Sequence, residues 1–173
     1  MGSACADPWR SRNAVSFRGT GLPDKIVMGD GILEGFAAIG YGDVAPQAIF
    51  AHEYAHQIQF ERDFELPAAE GQDQAEMTRF GELNADAFAA YYMTHSRGEN
   101  VHKKRVEEFL NVFYQIGDCA FTDPGHHGTP AQRLAAARFG FELADQARAQ
   151  GHILTAAEFN ALFLAEYASI IAP

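Results

Sequence analysis

The chain has 173 residues, 47% hydrophobic and 12% aromatic, which supplies one real core and excludes disorder over most of its length. Thirteen basic against 23 acidic residues leave a formal charge of −10, which argues against nucleic acid or an anionic membrane as partner, because phosphate-binding surfaces need a basic face. Two cysteines, Cys5 and Cys119, make neither a disulfide scaffold nor a paired zinc spacing, and no apolar run reaches the ~20 residues of a membrane span.

In chain order, residues 1–13 read as a flexible terminus or an expression remnant, ahead of a single domain over 14–173. Gly2-Ser3-Ala4-Cys5 weakly echoes a lipoprotein cleavage site, which would suit an exported or membrane-anchored chain whose targeting segment has been removed. A Cys5–Cys119 disulfide would require an oxidising compartment. Residues 14–17 and 25–28 are β-prone, and the Gly- and Pro-containing stretch between them predicts a hairpin or two neighbouring strands. Ile32, Phe36 and Ile39 recur at helical spacing until Gly40-Tyr41-Gly42. Asp43 is the expected N-cap of a second helix reaching about Phe60, followed by a polar loop over 62–75. A third helix is predicted over 74–96, with Phe80, Leu83, Ala87 and Tyr91 as its apolar stripe, and a fourth over 101–116.

Residues 117–128 form an irregular loop. Thr129-Pro130 with Gln132, and Thr155 with Glu158, each make a capping box that opens a helix. The last helix has Phe159, Leu162 and Tyr167 as its apolar side, and its closing Ile170-Ile171 suits either its own core or a second copy. The expected fold is α+β and mainly α, with a small N-terminal sheet and about six helices.

His52-Glu53-Tyr54-Ala55-His56 lies inside the second predicted helix. Histidines four residues apart stack one turn above each other on one face, so both imidazoles can reach one Zn²⁺. Glu53 is offset around the helix, placed to take a proton from a water that the metal activates and hand it to a departing amine. Ala45, Ile49, Phe50, Ala51 and Ile58 make the surroundings apolar, where three polar groups need partners and a metal satisfies them together. A catalytic zinc takes three protein ligands, and the third is expected from Glu82, with Asp86 one turn on to hold the free ring N–H of a ligand histidine. Asp86 sits among Ala85, Ala87, Phe88 and Ala89, where a lone carboxylate would be costly.

Together HEYAHQIQ at 52–59, ELNADAFAAYY at 82–92 and HGTPAQRLAAARFGF at 127–141 resemble the bacterial neutral zinc metallopeptidase family, one of the gluzincin-type zincins. The resemblance spans about half the chain, with three motifs in the right order. It implies a zincin-like fold, His52, His56 and Glu82 as zinc ligands, Glu53 as catalytic base and Asp86 behind the ligands. The family often has glycine at the position of Ala55 and cysteine at that of Ala87, and nothing before Asp43 matches it.

The expected activity is peptide-bond hydrolysis on a peptide or protein substrate. Two other readings stand beside it: a non-catalytic zinc-binding interaction domain, against which the intact Glu53 argues, and a zinc hydrolase of a non-peptide substrate. An oxyanion donor is also needed. His127, just ahead of a capped helix start, is one candidate, and Tyr54, Tyr91 and Tyr92 are others. Arg133 is offered as partner to an acidic neighbour, and Asp118 with Asp123 as a loose calcium site. His95, His102 and His152 are expected at the surface, and Cys119 as a small buried apolar residue.

Overall fold

A computed structural model describes residues 14–19, 21–64, 73–101, 105–119 and 122–172. Residues 1–13 with Cys5, residues 65–72 of the expected loop, and His102 lie outside them. The described residues form two strands, Ala14–Gly19 (β1) and Leu22–Met28 (β2), and six helices: Asp30–Ala38 (α1), Val44–Arg62 (α2), Gln74–Thr94 (α3), Val106–Gln115 (α4), Pro130–Ala149 (α5) and Ala156–Ile170 (α6). The domain is therefore α+β and mainly helical, with its small sheet at the front, as the sequence predicts. No helix among the described residues is long and apolar enough to cross a membrane.

The strands pair antiparallel, Val15 opposite Val27 and Ser16 opposite Ile26, with a register shift between Phe17 and Gly19. Val15 and Val27 share the outer, exposed face. Ala14 and Met28 pack against the core, and Ser16 accepts a hydrogen bond from Gln57, which ties the hairpin to α2.

Because α2 buries apolar residues on several sides, it shows no single stripe: Val44, Ala45, Ala48 and Ile49 face one core, while Ala55 joins another. Its start departs from expectation. Asp43 makes no side-chain cap; its carboxylate instead takes two hydrogen bonds from Arg105, at 2.8 and 3.2 Å, since a guanidinium fork outcompetes an amide donor for an exposed carboxylate.

Two aromatic clusters flank α3. The first joins Phe36, Phe109 and Phe113 from α1 and α4 to α2; the second joins Phe80 and Phe88 to Phe159, Phe163 and Tyr167 of α6. The alanines at 85, 87, 89 and 90 give α3 a thin waist, so neighbouring helices come close to its backbone. Both expected capping boxes form: Gln132 N–H to Thr129 Oγ1 at 3.1 Å, and Glu158 N–H to Thr155 Oγ1 at 3.2 Å.

Some side-chain expectations are corrected. Leu162 is exposed, and the buried row of α6 is Phe159, Phe163, Tyr167 and Ile170, which packs the end of the chain onto its own core. Ile39 is exposed at the end of α1. His95 is buried rather than at the surface: its Nε2 lies 2.9 Å from the His152 carbonyl and its ring stacks on Tyr91. Cys119 is half-buried rather than enclosed in the core.

Candidate metal centre

The two histidines of α2 and the glutamate of α3 converge. His52 Nε2 and His56 Nε2 stand 3.1 Å apart, and Glu82 reaches them at 3.3 Å through Oε2 and 3.4 Å through Oε1. A tetrahedral ion with ligand bonds of ~2.0–2.1 Å spaces its donor atoms roughly 3.3–3.4 Å apart, so the two imidazole nitrogens and the Glu82 carboxylate already stand near that spacing. Among the described residues this His-His-Glu group can hold a metal ion.

The outer ring nitrogens settle which atoms face inward. His52 Nδ1 lies 2.8 Å from Asp86 Oδ1, and a carboxylate only accepts, so Nδ1 carries the proton and Nε2 offers a lone pair. His56 Nδ1 lies 2.8 Å from Gln59 Oε1, which gives the same tautomer. Two imidazole lone pairs and a carboxylate thus aim at one point, an arrangement that repels itself without a cation. With only a proton to fill it, His52 is pushed up to about 10: burial opposes the charge, but bonds to Asp86 and Glu82 outweigh it. Burial likewise opposes ionisation of Glu82, yet the neighbouring His56 and His52 hold its carboxyl well below the usual range.

Behind the histidines, Asp86 is fully buried and fully used. Arg133, from the first turns of α5, donates Nε to Asp86 Oδ2 and Nη2 to Oδ1, both at 2.7 Å, and Nη1 to the Ile116 carbonyl at 3.3 Å. The same Nη2 lies 3.7 Å from Glu82 Oε2. Burial disfavours the Arg133 charge, but the charge and hydrogen bonds of Asp86 raise its pKa. Arg133 therefore has the acidic partner expected from the sequence, and joins α5 to α3 and, through Asp86, to His52.

Glu53 is 6% exposed and opens with His52, His56 and Glu82 onto a cavity of about 610 Å³. Burial raises its pKa, against the pull of His52 and His56. One wall of the cavity is β1, with Ala14, Val15, Ser16 and Arg18, and another is the start of α3, with Met77, Thr78 and Gly81. His127 lines the same cavity from the loop before α5. Its backbone N–H donates to Asp118 Oδ2 at 2.9 Å, its Nδ1 lies 3.2 Å from the same oxygen, and His126 Nδ1 lies 2.5 Å from Oδ1. Asp118, read from the sequence as a loose calcium ligand, serves here as the pin of that loop, while Asp123 accepts from Gly125 N–H at 2.8 Å. Gly128, at φ +102, lets the loop pass α3 where a Cβ would stand 2.9 Å from Leu83.

The tyrosine candidates are not at the cavity. Tyr54 and Tyr92 are exposed elsewhere, and Tyr91 packs in the second cluster with its hydroxyl accepting Leu154 N–H at 2.9 Å. The residue that sequence reasoning passed over is Gln59, whose position three after His56 on one helix face was the available signal. No protein-family model, curated protein or solved structure matches the chain.

Proposed function

We propose that the chain is a zinc-dependent peptidase of the kind its motifs resemble, with His52, His56 and Glu82 as ligands. The observation that carries this is Glu53: a buried carboxylate, next in sequence to one ligand, opening onto the same cavity as all three. A purely structural ion would leave such a carboxylate without a task. Two imidazoles and one carboxylate are also a donor set that zinc takes in hydrolases. A zinc ion held there would supply Lewis acidity to a water and to a substrate carbonyl.

The remaining work falls to side chains. Glu53 accepts a proton from the attacking water and returns it to the leaving amine, a role suited to a carboxylate whose pKa burial has raised. Asp86 keeps His52 facing inward, and Arg133 keeps Asp86 in place. His127 stands at the cavity as donor to the oxyanion. With Nδ1 turned to Asp118, its free Nε2 carries a proton to donate only when the ring is an imidazolium. The cavity, walled by a strand and a helix, accommodates a stretch of peptide.

The test is a mass-spectrometric screen of zinc-loaded chain against a mixed peptide library, alongside Glu53→Gln. Wild type should cleave, and the variant should keep its zinc while losing about 10²–10⁴-fold in rate. Equal cleavage by both would remove Glu53 from the reaction, and no cleavage by wild type would overturn the peptidase reading.

A further inference from the structure

The two ligand histidines are backed differently. His52 leans on a charged pair, Asp86 with Arg133, whereas His56 leans on a neutral amide. That amide is the first link of a buried chain across three helices. Gln59 Nε2 donates to the Gly81 carbonyl at 2.8 Å and to Asn84 Oδ1 at 2.9 Å; Asn84 Nδ2 donates to Asn160 Oδ1 at 3.1 Å. Gln59, Asn84 and Asn160 are all at least nine-tenths buried.

The chain has a direction. Asn160 Oδ1 requires the amino end of Asn84, which turns the carbonyl end of Asn84 toward Gln59. That carbonyl, together with the Gly81 carbonyl, requires the amino end of Gln59, so Oε1 is left for His56. Flipping Gln59 would set two carbonyls against its own oxygen in a place buried from solvent. His56 then has only an acceptor at Nδ1 and must keep its proton there.

We infer that Gln59, oriented by Asn84 and Asn160, is the positioning residue that holds His56 in its Nδ1–H tautomer and presents Nε2 to the metal. This rests on the His-His-Glu group being the metal site. It assigns α6, through Asn160, a part in metal binding that its distance along the chain conceals.

Three variants separate positioning from stability. Gln59→Met removes the acceptor while keeping the volume. Gln59→Glu restores an acceptor at His56 Nδ1 but takes the donors from Gly81 and Asn84, so it destabilises while preserving the tautomer. Asn160→Ala leaves the centre untouched and loosens the chain's far end. The readouts are the His56 tautomer, from magnetic resonance of the ring nitrogens in metal-free protein at mildly alkaline pH, zinc affinity by chelator competition, and thermal unfolding.

Wild type should show Nδ1–H alone. Gln59→Met should show a mixture and bind zinc about 10–100-fold more weakly, as loss of a histidine's outer partner does elsewhere. Gln59→Glu should unfold earlier yet keep the tautomer and most of the affinity, and Asn160→Ala should shift the tautomer in the same direction as Gln59→Met, by less. A Gln59→Met protein with an unchanged tautomer would overturn the inference, as would zinc affinity that follows unfolding temperature across the variants. Failure of wild type to bind zinc would instead strike the metal-site reading, while the tautomer arm would still decide the role of Gln59.

Discussion

Gly140 of α5 lies directly against the carbonyl oxygen of Ala87 on α3: a Cβ added at Gly140 would stand 2.0 Å from that oxygen. Ala87 follows Asp86, so this close approach lets Arg133, two turns earlier on α5, reach the carboxylate at 2.7 Å. Gly140→Ala should push the helices apart. Overpacking of this kind costs about 1–3 kcal/mol, and lengthening of the Asp86–Arg133 bonds should accompany it. Thermal unfolding checks the first effect and zinc affinity the second; an unchanged midpoint would mean that the helices yield freely.

Arg133→Met leaves Asp86 buried with His52 as its remaining partner. Removing one member of a buried ion pair costs about 3–5 kcal/mol, because the other charge stays desolvated. The expected outcome is a large fall in denaturant midpoint together with weaker zinc binding, since His52 loses its firm backing. A variant as stable as wild type would show that the pair is not what holds α5 to α3.

His127→Ala should leave zinc content and unfolding unchanged, because the ring is half-exposed and outside the ligand set. Its turnover should drop by about 10²–10³-fold, the usual loss when one oxyanion donor is removed. Wild-type turnover would retire His127 from the reaction and leave Asp118 as a pin for the loop alone.

What could be read from the sequence was local. The two capping boxes, the one-turn spacing of His52 with His56 and of Glu82 with Asp86, and the switch from β-prone to helical periodicity near Asp30 all depend on neighbours within four residues. What could not be read depends on partners far along the chain. Asp43 looked like a cap because Arg105, 62 positions away, is invisible to local pattern. His95 looked polar-surfaced because the carbonyl of His152 covers it from the α5–α6 turn. On α6, Leu162 and Phe163 fit an apolar stripe equally well, and only the place of Phe80 and Phe139 decides for Phe163. Gln59, Asn84 and Asn160 are ordinary polar residues until the fold lines them up.

The most direct measurement is metal content by elemental analysis after zinc loading and dialysis, for wild type and Glu82→Ala side by side. The expected result is about one zinc per chain in wild type and its loss in the variant, since two histidines alone make a weak site. A wild type that holds no zinc, or a variant that holds as much, would contradict the convergence of His52, His56 and Glu82 on one ion.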